Sequence, residues 1–225
     1  MAILKSLISA GDSVADIGAN VGVYTREFSL LVGQGGRVYS CEPVVENYHI
    51  LEDVTRKAGL SNVHLFNAAI ASEVGQRQMV IPNLEGFTGY YQAHFSRGDE
   101  PGEPETVQVL TIEELWRRKI FTHLDFIKCD VEGAELVVVE GAMLLIEAQL
   151  PAWLMEVSRS TSSQIFRTLK SLGYRAFVYN DGLNETENYR DGEFSNYFFI
   201  HPRSKIWQRA LPHAKLLRST GVAAT

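Results

Sequence analysis

Short apolar runs alternate with amphipathic stretches of helical length along this chain. Ser13 to Ile17 ("SVADI") reads as a strand, and Val23 to about Val32 as a helix. "GRVYSCE" (36–42) is a second strand. A helix from about Val44 to Ala58 follows, closed by Gly59, a common stop residue. "NVHLFNAAI" (62–70) predicts a third strand. "DFIKCD" (125–130) predicts a buried central strand that ends on an acid. A helix then runs from near Gly133 into the apolar segment before Pro151. "AWLMEV" (152–157) is a further strand, followed by a helix over about 162–172 that Gly173 closes. "YRAFVY" and "SNYFFIH" are expected to pair as a terminal hairpin, and the tail from about Pro202 is mixed, helical or loose.

Strand, helix, strand repetition predicts an α/β domain: a mostly parallel sheet with helices on both faces, in one domain spanning 1–225. Ligands in such sheets bind beyond the carboxyl ends of the strands, where strand order reverses. Asp16 to Gly18, Glu42, Asn67, Asp130 and Glu156 all fall at those ends. Residues 82–104 break the rhythm. They hold four glycines, three prolines, Phe87, Tyr90, Tyr91, His94 and Phe95. Unstructured loops of this length are uncommon inside a domain, and a disordered linker seldom carries so many aromatics. The segment is expected to be an insertion forming a substrate lid or pocket wall.

Composition narrows the class. Apolar residues make up 45% of the chain, enough for a buried core. Acids outnumber bases 27 to 21, which disfavours a polynucleotide partner held through its phosphates. Cys41 and Cys129 lie late in strands and outside any C-x-x-C pair, so both are expected as buried thiols. No apolar run reaches the roughly 20 residues of a membrane span, and none resembles a signal peptide. The chain reads as soluble and cytoplasmic.

The stretch "VADIGANVGVYT" (14–25) carries the chemistry. A dinucleotide loop would read G-x-G-x-x-G and face a pyrophosphate. Here Asp16 precedes Gly18, Asn20 and Gly22, and a carboxylate would repel phosphate and attract an ammonium group. S-adenosylmethionine, with an amino-acid end and no phosphate, suits such a loop. Gly18 and Gly22 let backbone approach the ligand, with Ala19, Asn20 and Tyr24 beside it. Glu42, with Pro43 next to it, ends the second strand and can accept hydrogen bonds from both ribose hydroxyls. Asn67 and Ala68 leave room for a flat adenine.

Together "VADIGANVGVYT", "VYSCEP", "FNAAI", "FIKCDVEGAELVVVEGA" and "WLMEV" resemble the FkbM-type S-adenosylmethionine-dependent methyltransferases, over roughly Val14 to Ile200. The resemblance implies a Rossmann-like, doubly wound sheet of seven strands, mostly parallel, with an antiparallel last strand. It also implies methyl transfer, usually to a hydroxyl of a sugar, glycan or natural product. Asn20 stands where the broader methyltransferase signature has a glycine, which is ordinary for this family. Only about a dozen residues precede the first strand, where members often carry more.

A hydroxyl acceptor needs a base. Asp130 can orient the donor's ammonium group or take the acceptor proton. Glu132 and Glu156 are further catalytic candidates, and any of the three carboxylates can bind a divalent metal, although no ligand spacing requires one. Either Asp130 or Glu132 can instead cap the following helix. Lys128 can neutralise a carboxylate or touch substrate, and His94 or His201 can reach a pocket. Two other readings stay open: a nicotinamide-dependent oxidoreductase, and a non-catalytic nucleoside-binding module of the same fold.

Overall fold

The computed structural model describes residues 2–84, 87–96, 98 and 100–217, without the side chains of Leu84, Phe87 and Thr88. Parts of two expectations therefore lie outside the described residues: positions 85, 86, 97 and 99 of the 82–104 segment, with the Phe87 side chain, and the tail beyond 217. Among the described residues no helix is long and apolar enough to cross a membrane.

A short helix α1 (Leu4–Leu7) leads into β1 (Ser13–Ile17), α2 (Val23–Val32), β2 (Arg37–Cys41), α3 (Val45–Lys57) and β3 (Val63–Phe66). The chain then forms β4 (Ala69–Ile70), β5 (Gly75–Ile81), β6 (Asn83–Leu84), β7 (Phe87–Thr88), β8 (His94–Phe95), β9 (Glu103–Leu110) and α4 (Ile112–Arg117). It returns to the main sheet through β10 (Phe126–Cys129), α5 (Glu135–Glu140), α6 (Met143–Gln149), β11 (Ala152–Glu156), α7 (Arg159–Ser171) and β12 (Arg175–Tyr179). β13 (Leu183–Thr186), β14 (Asn196–Ile200), α8 (Lys205–Ala210) and β15 (Ala214–Lys215) complete it.

The main sheet has the order β15-β13-β12-β14-β11-β10-β1-β2-β3. Its seven inner strands from β12 to β3 match the expected architecture, and β14 runs antiparallel to both neighbours. β13 and β15 extend the edge. The two C-terminal apolar runs do pair as β12 and β14, but β13 lies between them in sequence and forms the hairpin with β12. The chain winds outward from β1 to β3, then from β10 to β11, so strand order reverses between β1 and β10.

Period-two alternation sorts the side chains onto two faces. Ile17, Cys41, Ile127, Cys129, Trp153 and Met155 pack against α5, α6 and α7 through Val138, Leu145 and Ile165. Val14, Val38, Phe126, Leu154 and Phe198 pack on the other face against Leu4, Phe28, Ile206 and Trp207. Asp16, Ser40 and Lys128 share that second face, a buried polar row across β2, β1 and β10.

Three local expectations change. The run 62–70 is two strands, because the chain leaves the main sheet after Phe66: Asn67 turns its amide to the carbonyls of Glu42 (2.9 Å) and Pro43 (3.0 Å), and β4 pairs with β9 instead. The helix expected before Pro151 breaks at Gly141, where a Cβ would lie 2.1 Å from the Ala71 carbonyl oxygen. The 82–104 segment sits within an antiparallel insertion, since β5 and β9 pair from Gly75–Val109 to Ile81–Glu103. Its buried side, Met79, Ile81, Ala93, Val107 and Val109, packs against Val44, Ala69 and Ala71.

Candidate active site

The loop after β1 is built around two tight approaches. Gly18 adopts φ +74°, and a Cβ there would sit 1.9 Å from the Asp130 carbonyl oxygen. Gly22, at φ +89°, would drive a Cβ to 2.7 Å from the Leu51 side chain. Asn20 also has a positive φ of 51°, a region asparagine tolerates better than most residues. Its Oδ1 accepts the Val21 amide at 2.7 Å. That local bond lets asparagine stand where the wider signature has glycine.

Asp16 has no face on the cavity. It is fully buried, with Oδ2 accepting from the Thr25 hydroxyl at 2.6 Å and Oδ1 lying 3.6 Å from the Lys128 ammonium. The ammonium group proves to be the protein's own. Lys128 also donates to the Gly18 carbonyl (2.8 Å), lies 3.3 Å from Asp130 Oδ2 and sits over the Tyr24 ring. Burial pulls the Lys128 pKa down, but the carboxylates of Asp16 and Asp130 outweigh it and hold the ammonium charged. One cation thus ties the loop after β1 to the acid after β10.

A cavity of about 340 Å³ opens at the strand-order reversal, within the usual size of a small-molecule site. Gly18, Ala19, Asn20, Tyr24, Glu42, Pro43, Ala68, Asp130, Glu132 and Glu156 line it together. Asp16, Gly22 and Asn67 do not, and serve its walls from behind. Asn47, Val44, Met79, Tyr90, Tyr91 and Phe95 line it as well. The aromatic richness of 82–104 signalled the last three; nothing in the sequence marked Asn47, whose amide donates to the Tyr90 carbonyl at 3.1 Å and ties α3 to the insertion.

Glu42 is 4% exposed and held in one orientation. Its oxygens accept the backbone amides of Asn20 (2.8 Å) and Val44 (3.0 Å). Burial raises its pKa, and these amides oppose the rise. Each carboxylate oxygen offers two acceptor positions, so two hydroxyl donors can still be met.

The opposite end of the cavity is acidic. Carboxylate oxygens of Asp130, Glu132 and Glu156 lie within 4.8 Å of one another. Such a trio can bind a hard divalent cation or share protons. Burial, a hydrogen bond with Asp130 and the surrounding acids push Glu156 up to about 8. Burial and the charges of Asp130 and Glu135 raise Glu132 as well. Neither Asp130 nor Glu132 caps the following helix, whose start has no side-chain cap; Glu135 Oε1 instead accepts the loop amides of Val131 (3.2 Å) and Gly133 (3.0 Å). Both loop acids are therefore left to the cavity.

Neither histidine lines it. His94 Nε2 pairs with Glu100 at 3.1 Å. His201 follows β14, whose antiparallel direction carries it to the far end of the sheet, against Tyr174. Cys41 and Cys129 are buried free thiols, pushed up by burial.

This strand order, with a ligand cavity at the reversal and an antiparallel strand between β11 and β12, defines the class I methyltransferase fold. A family profile described as the methyltransferase FkbM domain matches residues 16–176. The chain belongs to the FkbM family of S-adenosylmethionine-dependent methyltransferases. A structure of an FkbM methyltransferase from Methylobacillus flagellatus KT superposes with a TM-score of 0.58 at 17% identity, covering 88% of this chain and 48% of that one. A SAM-dependent O-methyltransferase from Thermotoga maritima gives 0.51 at 14% identity, covering 89% and 63%. In sequence, the chain is 36% identical over 81 residues to the probable cobalt-precorrin-6B C(15)-methyltransferase (decarboxylating) of Saccharolobus solfataricus, over 34% of this chain and 41% of that protein. The chain thus spans less than half of two of these relatives.

The residues present fit the family's donor. The cavity has room for a nucleoside, Glu42 presents a fixed carboxylate, and Val44, Ala68 and Ile70 supply apolar wall. Lys128, the cation at the loop, is already engaged by Asp16, Asp130 and Gly18, so it is not reserved for a pyrophosphate.

Proposed function

We propose that this chain methylates a hydroxyl of a sugar, glycan or small natural product. The observation that carries the reading is the close approach of the Asp130 and Glu156 carboxylates, within 4.8 Å, at the acidic end of the donor cavity. When bound, S-adenosylmethionine supplies a sulfonium methyl whose C–S bond breaks as the new C–O bond forms, leaving the electron pair on sulfur. Glu42 orients the donor end of the cavity by accepting from the ribose hydroxyls, with Ala68 and Val44 beside the base. Asp130, positioned by Lys128, orders the opposite end. The Asp130–Glu156 pair receives the acceptor's hydroxyl proton. Glu132 adds negative charge that makes the pair a better proton acceptor. A polyanionic acceptor would meet three carboxylates at the same mouth, which favours a neutral one.

The test is transfer of labelled methyl from S-adenosylmethionine to a panel of sugars, phenols, amines and RNA. The expected outcome is label on hydroxyl compounds. Label confined to amines or RNA would contradict the oxygen assignment. Tight binding of S-adenosylhomocysteine with no turnover on any acceptor would favour the non-catalytic module.

A further inference from the structure

A second cleft, of about 360 Å³, opens on the face of the sheet that carries Lys128. Tyr24 borders both it and the donor cavity. Leu154 and Glu156 lie two residues apart on β11 and so share a face. Across the ladder Leu154 pairs with Phe198 and Glu156 with Asn196. Leu154 and Phe198 floor the second cleft with Asn196 at its rim, while Glu156 lines the first. A ligand resting on this floor therefore meets Glu156 at its edge.

The cleft's chemistry is selective. Tyr24, Tyr179, Phe194 and Phe198 give it aromatic walls, and Ser195 and Asn196 place a hydroxyl and an amide at the exposed rim. Flat apolar walls with a few polar groups at one edge suit a ring with one C–H face and a hydroxyl rim. Charge argues against an anion. Arg190, stacked over Phe194, is already paired with Glu193 at 2.5 Å, and Glu156 stands at the inner end. Tyr90 and Phe95 of the insertion pack with Val44 and Ala69 and line the donor cavity, not this cleft.

We propose that this second cleft is the acceptor subsite and that it takes an uncharged pyranose ring, one hydroxyl of which reaches the Asp130–Glu156 pair. The proposal rests on the methyltransferase reading above.

Saturation-transfer NMR with methyl glucoside, methyl galactoside and methyl rhamnoside, on protein saturated with S-adenosylhomocysteine, tests it. Calorimetry with S-adenosylhomocysteine is run in parallel. Tyr179→Ala and Asn196→Ala change exposed side chains, and Ser195→Trp fills the cleft from its rim. The expected result is signal from at least one glycoside, lowered several-fold in the two alanine variants and abolished by S195W, with donor-product affinity within twofold throughout. Normal S-adenosylhomocysteine binding with no glycoside signal, or with signal only from a phenol, overturns the sugar assignment and leaves the donor reading intact. Glycoside signal unchanged by all three variants overturns the location. Absence of S-adenosylhomocysteine binding refutes the donor reading first, and the subsite with it.

Discussion

Glu42 and Glu156 end strands on opposite sides of the sheet's centre, line the same cavity, and are both raised by burial. Their partners separate them. Glu42 accepts two backbone amides, which cannot move without the loops that carry them. It is a fixed receptor for hydrogen-bond donors. Glu156 faces Asp130, Glu132 and Glu135, and its pKa climbs to about 8. It is a group whose proton can be exchanged. A buried carboxylate surrounded by amides reads as binding machinery, and one surrounded by acids as proton-transfer machinery.

Glu156→Gln should separate the two most sharply. We expect kcat to fall by about 10²–10⁴-fold, the usual weight of an acid–base group, with S-adenosylhomocysteine affinity unchanged in calorimetry. Equal losses in rate and affinity would merge the two roles. Lys128→Met leaves Asp16 as an unpaired buried charge and should cost about 3–5 kcal/mol in denaturant unfolding. Asp16→Asn in the same background should restore part of it. Glu42→Ala should weaken S-adenosylhomocysteine binding by about 1–3 kcal/mol while leaving kcat at saturating donor nearly intact.

The pH dependence follows from Glu156. Its native pKa lies above the unfolded value of 4.5, so the native state binds its proton more tightly. Stability from this group is complete below about pH 4.5 and is lost as pH rises through about 8. The melting temperature of the free protein should fall over this range more steeply than in Glu156→Gln. Methyl transfer should rise with pH through about 8 as the pair loses its proton, and that limb should vanish in the variant. The smallest effect expected is that of chelation: activity unchanged by EDTA. Loss of activity restored by magnesium would assign the acid trio to a metal.

The parallel half of the fold was legible because each central strand is a short apolar run ending on a polar residue. The strand-end acids Glu42, Asp130 and Glu156 were legible for the same reason, since a polar residue closing a buried strand has few other uses. Asp16 was legible as important and misplaced in role. Its neutralising partner, Lys128, lies 112 positions away, and only the β1–β10 register, which sets Asp16 opposite Lys128, brings them together. An insertion was legible at 82–104, but its strands were hidden because β5 and β9 ("GQRQMVI" and "EPETVQVL") are polar for half their length and pair with each other and two short edge strands. The break at Gly141 was hidden too, since the sequence does not show the Ala71 backbone lying against it.

Calorimetric titration with S-adenosylhomocysteine and with NAD measures directly what the cavity at the strand reversal accepts. We predict a single saturable S-adenosylhomocysteine site, weakened in Glu42→Ala and kept in Glu156→Gln, with no heat from NAD. Saturable NAD binding with none for S-adenosylhomocysteine would contradict it.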